Sequence, residues 1–413
     1  MSKAERTHRA LGGGVPARRP ERSRTSRIPG IDVARGVAVL GMCSVHVFDS
    51  FDSDDSPSVA WMVAGGRSAA TFAVAAGIGL AFTTGGRRPA TGRGAAVSVA
   101  VRALLITLVG LALSCVTVPT GLDEVGVVLP YYGLLFLLAI PLVSRRPRAL
   151  ACIAAGTAIL APLLIRALAR VLTDPGFATD PTFADVVRRP GGLMVELLVF
   201  GEYPALAWLA YVCAGVAIGR LKLTSARVAV WLLGGGLALA AAAWGASSLV
   251  LFRLGGLRHL WQAEFSDDYS WAEAHDTVLW EPPGGHSWWS LLSRAPHSTS
   301  PFDMVHTLGS AVALLGALLL LTRSSAITRL LAPLATAGSM PLTFYTLHVL
   351  FLATGVLSDL PYVQYVVMVA SALAFTVVWS HTRGRGPLES MITSAAKRAR
   401  RAAETPAGDR PEP

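Results

Sequence analysis

Long apolar segments recur along nearly the whole chain, and they constrain its fold more than any other feature. Each is long enough to cross the ~30 Å hydrocarbon core of a bilayer as a helix. With 53% hydrophobic and only 15% charged residues, the 413-residue chain is too apolar for a water-soluble protein. We predict an all-α polytopic protein of the cell membrane with about ten transmembrane helices. The segments are 31–50, 58–82, 95–118, 124–144, 148–172, 203–220, 225–252, 303–323, 327–355 and 359–381.

The charged residues of the short loops give these helices a direction. Basic residues lie in every second loop and at both ends of the chain, whereas the intervening short loops carry acidic residues. The positive-inside rule therefore places both termini in the cytoplasm. The formal net charge of +10 reflects this topology, so we expect no nucleic-acid partner. The basic loop residues are Arg87, Arg88, Arg93, Arg145, Arg146, Arg148, Arg220, Lys222, Arg227, Arg323 and Arg329.

Three regions follow from this topology. Residues 1–30 are predicted to be a disordered basic cytoplasmic arm, residues 31–381 the transmembrane domain, and residues 382–413 a cytoplasmic tail. Two long loops, 173–202 and 253–302, are predicted to be extracytoplasmic. The second contains five tryptophans, which are typical either of an aromatic belt at the bilayer interface or of a lid over an outward-facing chamber.

The first apolar segment carries an acid, a base and a histidine. Asp32, Arg35 and His46 share one face of a helix, because spacings of three and fourteen residues bring side chains to the same side. At ~1.5 Å per residue, Asp32 and His46 are roughly 21 Å apart along the axis. An ion pair and a hydrogen bond to a neighbouring helix would give these residues a structural role. A polar path from the cytoplasmic mouth to the outer leaflet would give them a functional one.

Further polar residues are predicted at the depth of His46. Arg67 lies nine residues inside the second segment, where an arginine costs at least ~2.5 kcal/mol unless it faces protein, water or a counter-ion. Single tyrosines there would be interface anchors. Together, however, His, Arg, Glu and Tyr supply the base, orienting group and carbonyl-polarising donor that acyl transfer needs. The other residues are Tyr131, Tyr132, Glu202, Tyr203, Asp303, His306, Tyr345 and His348.

The cysteines indicate neither a disulfide nor a metal site. Cys43, Cys115, Cys152 and Cys213 lie singly in apolar segments, without the spacing of zinc ligands or redox pairs. We therefore expect buried, unreactive thiols and no metal cofactor.

Several stretches resemble known membrane families. The stretch RIPGIDVARGVAVLGM (27–42) and the stretch GRSAATFAVAAGI (66–78) resemble the amino-terminal signature of heparan-alpha-glucosaminide N-acetyltransferase-like proteins. The DxxRGxA…H pattern that ends at His46 also resembles the first helix of integral-membrane acyltransferases that modify sugars and lipids. Later stretches are similar to the YeiB-like family of unknown function, namely residues 131–138, 203–215, 296–303, 338–348 and 384–389.

The resemblance implies an integral membrane acyltransferase. Its donor substrate would be acetyl-CoA or another acyl-CoA, and its acceptor a hydroxyl or amine of a glycan, lipid or secreted small molecule. His46 would be the general base or acyl carrier. The heparan enzyme has an acyl-accepting histidine just before its second span, but residues 51–60 contain none, so we expect no acetyl-histidine there. The candidate residues are His46, Arg67, Tyr345 and His348 for catalysis, Asp32 and Arg35 for the cofactor, and Glu202, Tyr131 and Asp303 for the substrate.

Two other classes of function fit the same residues. In a transporter or exporter of an amphiphilic solute, Arg67, Glu202 and His348 would bind substrate or couple transport to protons. A non-catalytic membrane scaffold is the third class. All three hypotheses imply membrane lipids as partners. The sequence is compatible with a homo-oligomer and does not identify the acceptor.

Overall fold

The chain folds into helices, seen in a computed structural model that describes residues 27–405 except 54–55, 91, 123–124, 178–179, 268, 274–277 and 286. The predicted disordered arm therefore lies almost wholly outside the described residues, as does the end of the tail. The helices are α1 Pro29–Val45, α2 Val59–Ala64, α3 Arg67–Thr83, α4 Arg93–Thr117, α5 Leu129–Ala139, α6 Pro147–Leu168, α7 Phe183–Arg188, α8 Pro190–Val195, α9 Ala205–Gly219, α10 Ala226–Ser248, α11 Gly256–Glu264, α12 Pro301–Leu321, α13 Ser325–Leu330, α14 Ala332–Gly338, α15 Pro341–Leu352, α16 Pro361–Thr382 and α17 Pro387–Glu404.

The centre of the bundle consists of α1, α3 and α9. Almost every residue of α9 is buried, and α1 is packed between α3, α12 and α14. Small residues allow these close crossings. A Cβ on Gly215 would overlap the carbonyl oxygen of Val74, and a Cβ on Gly338 would overlap that of Asp32. The glycines thus bring α9 against α3 and α14 against the start of α1.

Six of the described helices or continuous helix pairs are long and apolar enough to cross a membrane. A seventh crossing results if the pair Pro190–Phe200 and Ala205–Gly219, bent by 61°, is one broken span. With 17 and 11 residues, α1 and α5 are shorter. The all-helical membrane fold is confirmed, whereas the total of about ten spans and the sides of the termini stay predictions. The six correspond to the predicted segments 58–82, 95–118, 148–172, 225–252, 303–323 and 359–381.

The predicted continuous segment 327–355 is instead three short helices. It is divided into α13, α14 and α15, and both α14 and α15 have a proline in their first turn. Proline removes a backbone N–H and disfavours a helical residue before it, so each proline ends the preceding helix. The break turns α15 into a separate short helix, which starts inside the protein.

Arg220 joins the ends of three helices on the side opposite the long loops. Its guanidinium lies at the C-terminus of α9 and is 4% exposed. It donates to the carbonyl oxygens of Ala81, Thr84 and Gly86, near the end of α3, and to that of Val143, after α5. Carbonyls at helix C-termini carry partial negative charge, so they stabilise a buried cation without a carboxylate.

The described part of the long loop 253–302 is folded. It has a small apolar core of its own around Leu260 and Phe265. It is attached to α2, because the indole N–H of Trp61 donates to the carbonyl of Trp280 at 2.9 Å. Trp271, Trp288 and Trp289 are between 42% and 49% exposed. The loop therefore combines attachment to the bundle, as expected for a lid, with exposed tryptophans, as expected for a belt.

The prediction of buried thiols is wrong for two of the four cysteines. Cys43 and Cys213 are buried, but Cys115 and Cys152 are exposed. They lie on α4 and α6, long helices of which only about a third is buried. An apolar surface residue is stable there because it faces lipid.

Candidate active site

Two histidines from distant parts of the chain meet beside α1. His46 directly follows α1, and His348 lies in α15 and is fully buried. The Nδ1 of His46 is 3.1 Å from the Nε2 of His348, and the rings are inclined by only 13°. One of these nitrogens must carry the hydrogen and the other must accept it. The pair therefore shares one hydrogen, an arrangement that suits proton transfer.

Tyr345 packs against this histidine pair. It precedes His348 by one turn of α15, and its ring meets the imidazole edge to face, with centroids 4.8 Å apart. Its hydroxyl oxygen accepts a hydrogen bond from the backbone N–H of Val128 at 3.3 Å. That bond uses a lone pair and leaves the hydroxyl hydrogen free to be donated. The tyrosine can thus both fix the His348 ring and donate one hydrogen bond.

A cavity of about 560 Å³, the basic cavity, lies between α1, α3, α4, α5, α15 and α17. Its walls carry five cationic side chains and one carboxylate, that of Glu389. It extends along α3 from Thr83 to Phe72, which is ~16 Å by helix rise. Its inner end is apolar and aromatic, with Phe72, Tyr132 and Leu129. The cations are Arg27, Arg35, Arg102, Arg385 and Lys397.

Asp32 and Arg35 form the ion pair expected from their spacing. The guanidinium lies 3.3 Å from the Asp32 carboxylate and also donates to the carbonyl of Ala75 at 3.0 Å. Arg35 lines the basic cavity, which Asp32 does not. Partial neutralisation by Asp32 stabilises Arg35 inside the bundle, and the carbonyl fixes its direction. Arg35 is therefore a positioned cation in the wall of the cavity.

Arg67 is bound by groups other than the histidine pair. It donates to the carbonyl of Met62 at 2.7 Å and lies 3.2 Å from the Nε2 of His306. The Nδ1 of His306 is 3.2 Å from the carbonyl of Ala240. A carbonyl only accepts, so His306 carries its hydrogen on Nδ1, and its Nε2 accepts from Arg67. The buried carboxylate of Asp303 lies beside this network and accepts from the backbone N–H of Thr299 at 3.3 Å.

Glu202, at the bend between α8 and α9, faces a histidine whose side chain is 12% exposed. Its carboxylate lies 3.7 Å from the Nδ1 of His297, beyond hydrogen-bond length, and its side chain is 44% exposed. The His297 ring is enclosed by the aromatic rings of Trp61, Tyr203 and Trp208. This burial lowers the pKa of His297 to about 4, so the ring is neutral at pH 7. Glu202 is thus an accessible carboxylate beside an uncharged imidazole.

His297 also has a strained backbone, with φ at +63°. A non-glycine residue in this region costs on the order of 1 kcal/mol and persists only where the surroundings impose it. Here the three aromatic rings hold it. The ring of Tyr131 packs edge to face on that of Tyr203, so Tyr131 belongs to the same cluster.

A second cavity of about 920 Å³, the apolar cavity, lies on another side of α1. Its walls are mainly apolar, with two acidic residues, Asp49 and Asp52. Arg67 and Tyr365 also line it. Its size is that of a small-molecule site, and its lining suits an apolar chain.

Comparison with known families was decisive for the class of protein. Residues 27–254, more than half of the chain, match the model of the family described as heparan-alpha-glucosaminide N-acetyltransferase, catalytic. The chain belongs to this family. Residues 279–398 match a family described as a protein of unknown function (DUF418), which is YeiB-like. Comparisons with curated proteins and with solved structures gave no match.

Membership of the acetyltransferase family confirms the resemblance found in the sequence and makes the chain a membrane protein of acetyltransferase type. The two matched regions each contribute to the site. The catalytic-domain match contains His46 and Arg35, and the DUF418 match contains Tyr345 and His348. The histidine pair is therefore assembled across the two regions.

The structure brings some of the predicted residues together and separates others. His46, Tyr345 and His348 form one cluster, Arg67 and Asp303 a second, and Glu202 and Tyr131 a third. The candidates that sequence reasoning missed are His297 in the third cluster and the cavity residues Arg102, Arg385, Glu389 and Lys397. Among the described residues, no group of three or more His, Cys, Asp and Glu is arranged to hold a metal ion.

Proposed function

We propose that this protein is a membrane acyltransferase that moves an acetyl group from acyl-CoA, bound in the basic cavity, to a hydroxyl or amine at the opposite side of the membrane. The observation that carries the proposal is the basic cavity itself, which combines a cationic wall with an apolar inner end. Family membership supports transfer over the transport alternative.

Several features of the cavity fit a CoA thioester. Arg27, Arg102, Arg385 and Lys397 are suited to the phosphates, because guanidinium and ammonium groups bind phosphate oxygens by charge-assisted hydrogen bonds. The aromatic inner end suits the thioester arm and a short acyl group. Arg27, Arg385 and Lys397 belong to segments that the positive-inside rule assigns to the cytoplasm, which supports a cytoplasmic donor and cytoplasmic termini.

The histidine pair would move the proton in this reaction. The acceptor oxygen or nitrogen attacks the thioester carbonyl carbon, and the carbon–sulfur bond breaks. His46 takes the acceptor's hydrogen and, with His348, returns a hydrogen to the leaving sulfur. The Tyr345 hydroxyl would donate to the oxyanion. Arg67 would act on the acceptor side, where it lines the apolar cavity, which is also suited to membrane lipid chains.

Release of free thiol from acetyl-CoA tests the function directly. Purified protein in lipid nanodiscs should release CoA thiol from acetyl-CoA and should transfer radiolabelled acetyl to glucosamine or glucose, used as amine and hydroxyl probes. Absence of both reactions, combined with proton-driven solute flux in vesicles, would contradict the acyltransferase function and support the transport alternative.

Removing charge at the cavity should weaken donor binding selectively. Arg385→Gln combined with Lys397→Gln should raise the KM for acetyl-CoA about 3- to 10-fold, because each pair of an exposed cation and a phosphate contributes up to ~1 kcal/mol. The KM for acetyl-pantetheine, which lacks the nucleotide phosphates, should not change. The matched control is Arg398→Gln with Arg401→Gln, two exposed residues of α17 that do not line the cavity. Equal effects on both donors would contradict the assignment.

Glu202 should contribute to acceptor binding. Glu202→Gln should raise the acceptor KM about 10-fold or more, because a hydrogen bond to a charged group contributes ~1.5–3 kcal/mol. Hydrolysis of acetyl-CoA without acceptor should be unchanged. Asp267→Asn, at an exposed position of loop 253–302, is the control. A change in acceptor-independent hydrolysis instead would place Glu202 on the donor side.

A further inference from the structure

The helix that carries Tyr345 and His348 is not capped by its own sequence. In α15, Pro341 is the first helical residue, and the residue before it, Met340, provides no side-chain cap. The first-turn N–H groups of Leu342 and Thr343 therefore need an acceptor from elsewhere, since the helix starts inside the protein.

Glu389 of α17 supplies that acceptor. One carboxylate oxygen accepts from the N–H of Leu342 at 2.8 Å and from the N–H of Thr343 at 3.0 Å. The other accepts from the Thr343 hydroxyl at 2.6 Å. These three bonds fix the orientation of the carboxylate, because both of its oxygens are bound. Its negative charge lies at the positive, N-terminal end of the α15 dipole. The start of α15 is therefore held by a residue 46 or 47 positions away in sequence.

Helix α17, which carries Glu389, also forms part of the wall of the basic cavity. Ile392, Thr393 and Lys397 of α17 line the cavity, as do Pro341 and Leu342 at the start of α15. Glu389 lies where the two helices meet the cavity. A ligand in the cavity would thus contact both the helix that bears His348 and the helix that caps it.

We propose that Glu389 is a positioning residue, which sets the place of His348 against His46 by capping α15. This inference rests on the proposed acyltransferase function. It also assigns a role to residues 279–398, which match a family of unknown function. This region supplies His348, the helix that carries it, and part of the wall of the basic cavity.

Kinetics of Glu389→Ala test the proposal. The expected result is a 10- to 100-fold fall in kcat with acetyl-CoA, because a displacement of about 1 Å at a reacting group costs up to that much. The donor KM should change less than threefold. Glu389→Gln retains a carbonyl oxygen for the two N–H groups and should recover most of the loss. Ser390→Ala, the exposed next residue of α17, should behave as the wild type.

A double-mutant cycle separates positioning from general loss of stability. If Glu389 acts through His348, then Glu389→Ala in a His348→Ala background should have little further effect on kcat. Additive effects, or a wild-type kcat for Glu389→Ala, would overturn the proposal. All rates are measured below the unfolding temperature of each variant.

Nuclear magnetic resonance of ¹⁵N-histidine-labelled protein tests the positioning role of Glu389 without measuring catalysis. The His348 imidazole signals, assigned by their loss in His348→Ala, should move in Glu389→Ala and stay in place in Ser390→Ala. Unmoved signals would overturn the positioning role even if the wild type released no thiol. If the signals move but the wild type releases no thiol, the positioning role of Glu389 is supported and only the acyltransferase function is refuted.

Discussion

His46→Ala is expected to reduce kcat for acetyl transfer at least about 100-fold, the lower range of general acid–base contributions. The substitution removes one ring of the His46–His348 pair, in which the two nitrogens are 3.1 Å apart. Binding of acetyl-CoA should be nearly unchanged, since His46 does not line the basic cavity. Thiol release by the purified variant, measured at saturating donor, gives kcat directly.

The control for this substitution is His381→Ala, which removes an exposed histidine at the end of α16. It should retain the wild-type rate. His46→Ala with full activity would remove the histidine pair from the mechanism. A loss of activity accompanied by a lower unfolding temperature would point to packing instead, and His46→Gln, which keeps a hydrogen-bonding side chain, would then distinguish the two.

Arg220→Leu is expected to destabilise the folded protein by about 3 kcal/mol or more. Four carbonyls and the Thr84 hydroxyl lose a charged donor, which belongs to a side chain that is only 4% exposed. The carbonyls of Ala81 and Thr84 keep backbone N–H donors, so the cost falls mainly on those of Gly86 and Val143, at ~1–3 kcal/mol for each unsatisfied buried acceptor. The thermal unfolding midpoint in detergent should fall by about 5 °C or more.

Arg227→Leu is the matched control, because Arg227 is exposed near the start of α10 on the same side of the bundle. Its unfolding midpoint should stay within about 1 °C of the wild type, as expected for a surface substitution. A similar fall in both variants would mean that the carbonyl cluster contributes nothing specific at Arg220, and that the loss of basic charge is the cause.

Much of the fold could be predicted, because the bilayer imposes a length and a composition on each spanning helix. The helices Arg93–Thr117, Pro147–Leu168 and Pro301–Leu321 all coincide with predicted segments to within a few residues. The break of segment 327–355 was missed, although Pro333 and Pro341 were visible in the sequence. Hydropathy alone does not register such breaks, since prolines in apolar segments are common in membrane helices.

The sequence named His46, Tyr345 and His348 as separate candidates but did not show that they form one cluster. Asp32 and Arg35 could be paired from their spacing, since i and i+3 are neighbours on a helix. No periodicity relates His46 to His348, which are 302 positions apart. Arg67 was predicted at the depth of His46, yet it contacts His306 and the carbonyl of Met62, because lateral packing decides which residues of similar depth meet.

The sequence by itself determined the class of protein, the apolar segments, the family and the polar residues that a membrane helix carries only for a reason. Each of these depends on local composition or on spacing within one helix, and both can be read directly from the sequence. Only the tertiary structure decided that His46 meets His348, that Glu389 caps the helix of His348, and that five cations line one cavity. Those contacts depend on how helices distant in sequence pack side by side, and the close approaches at Gly215 and Gly338 set that packing.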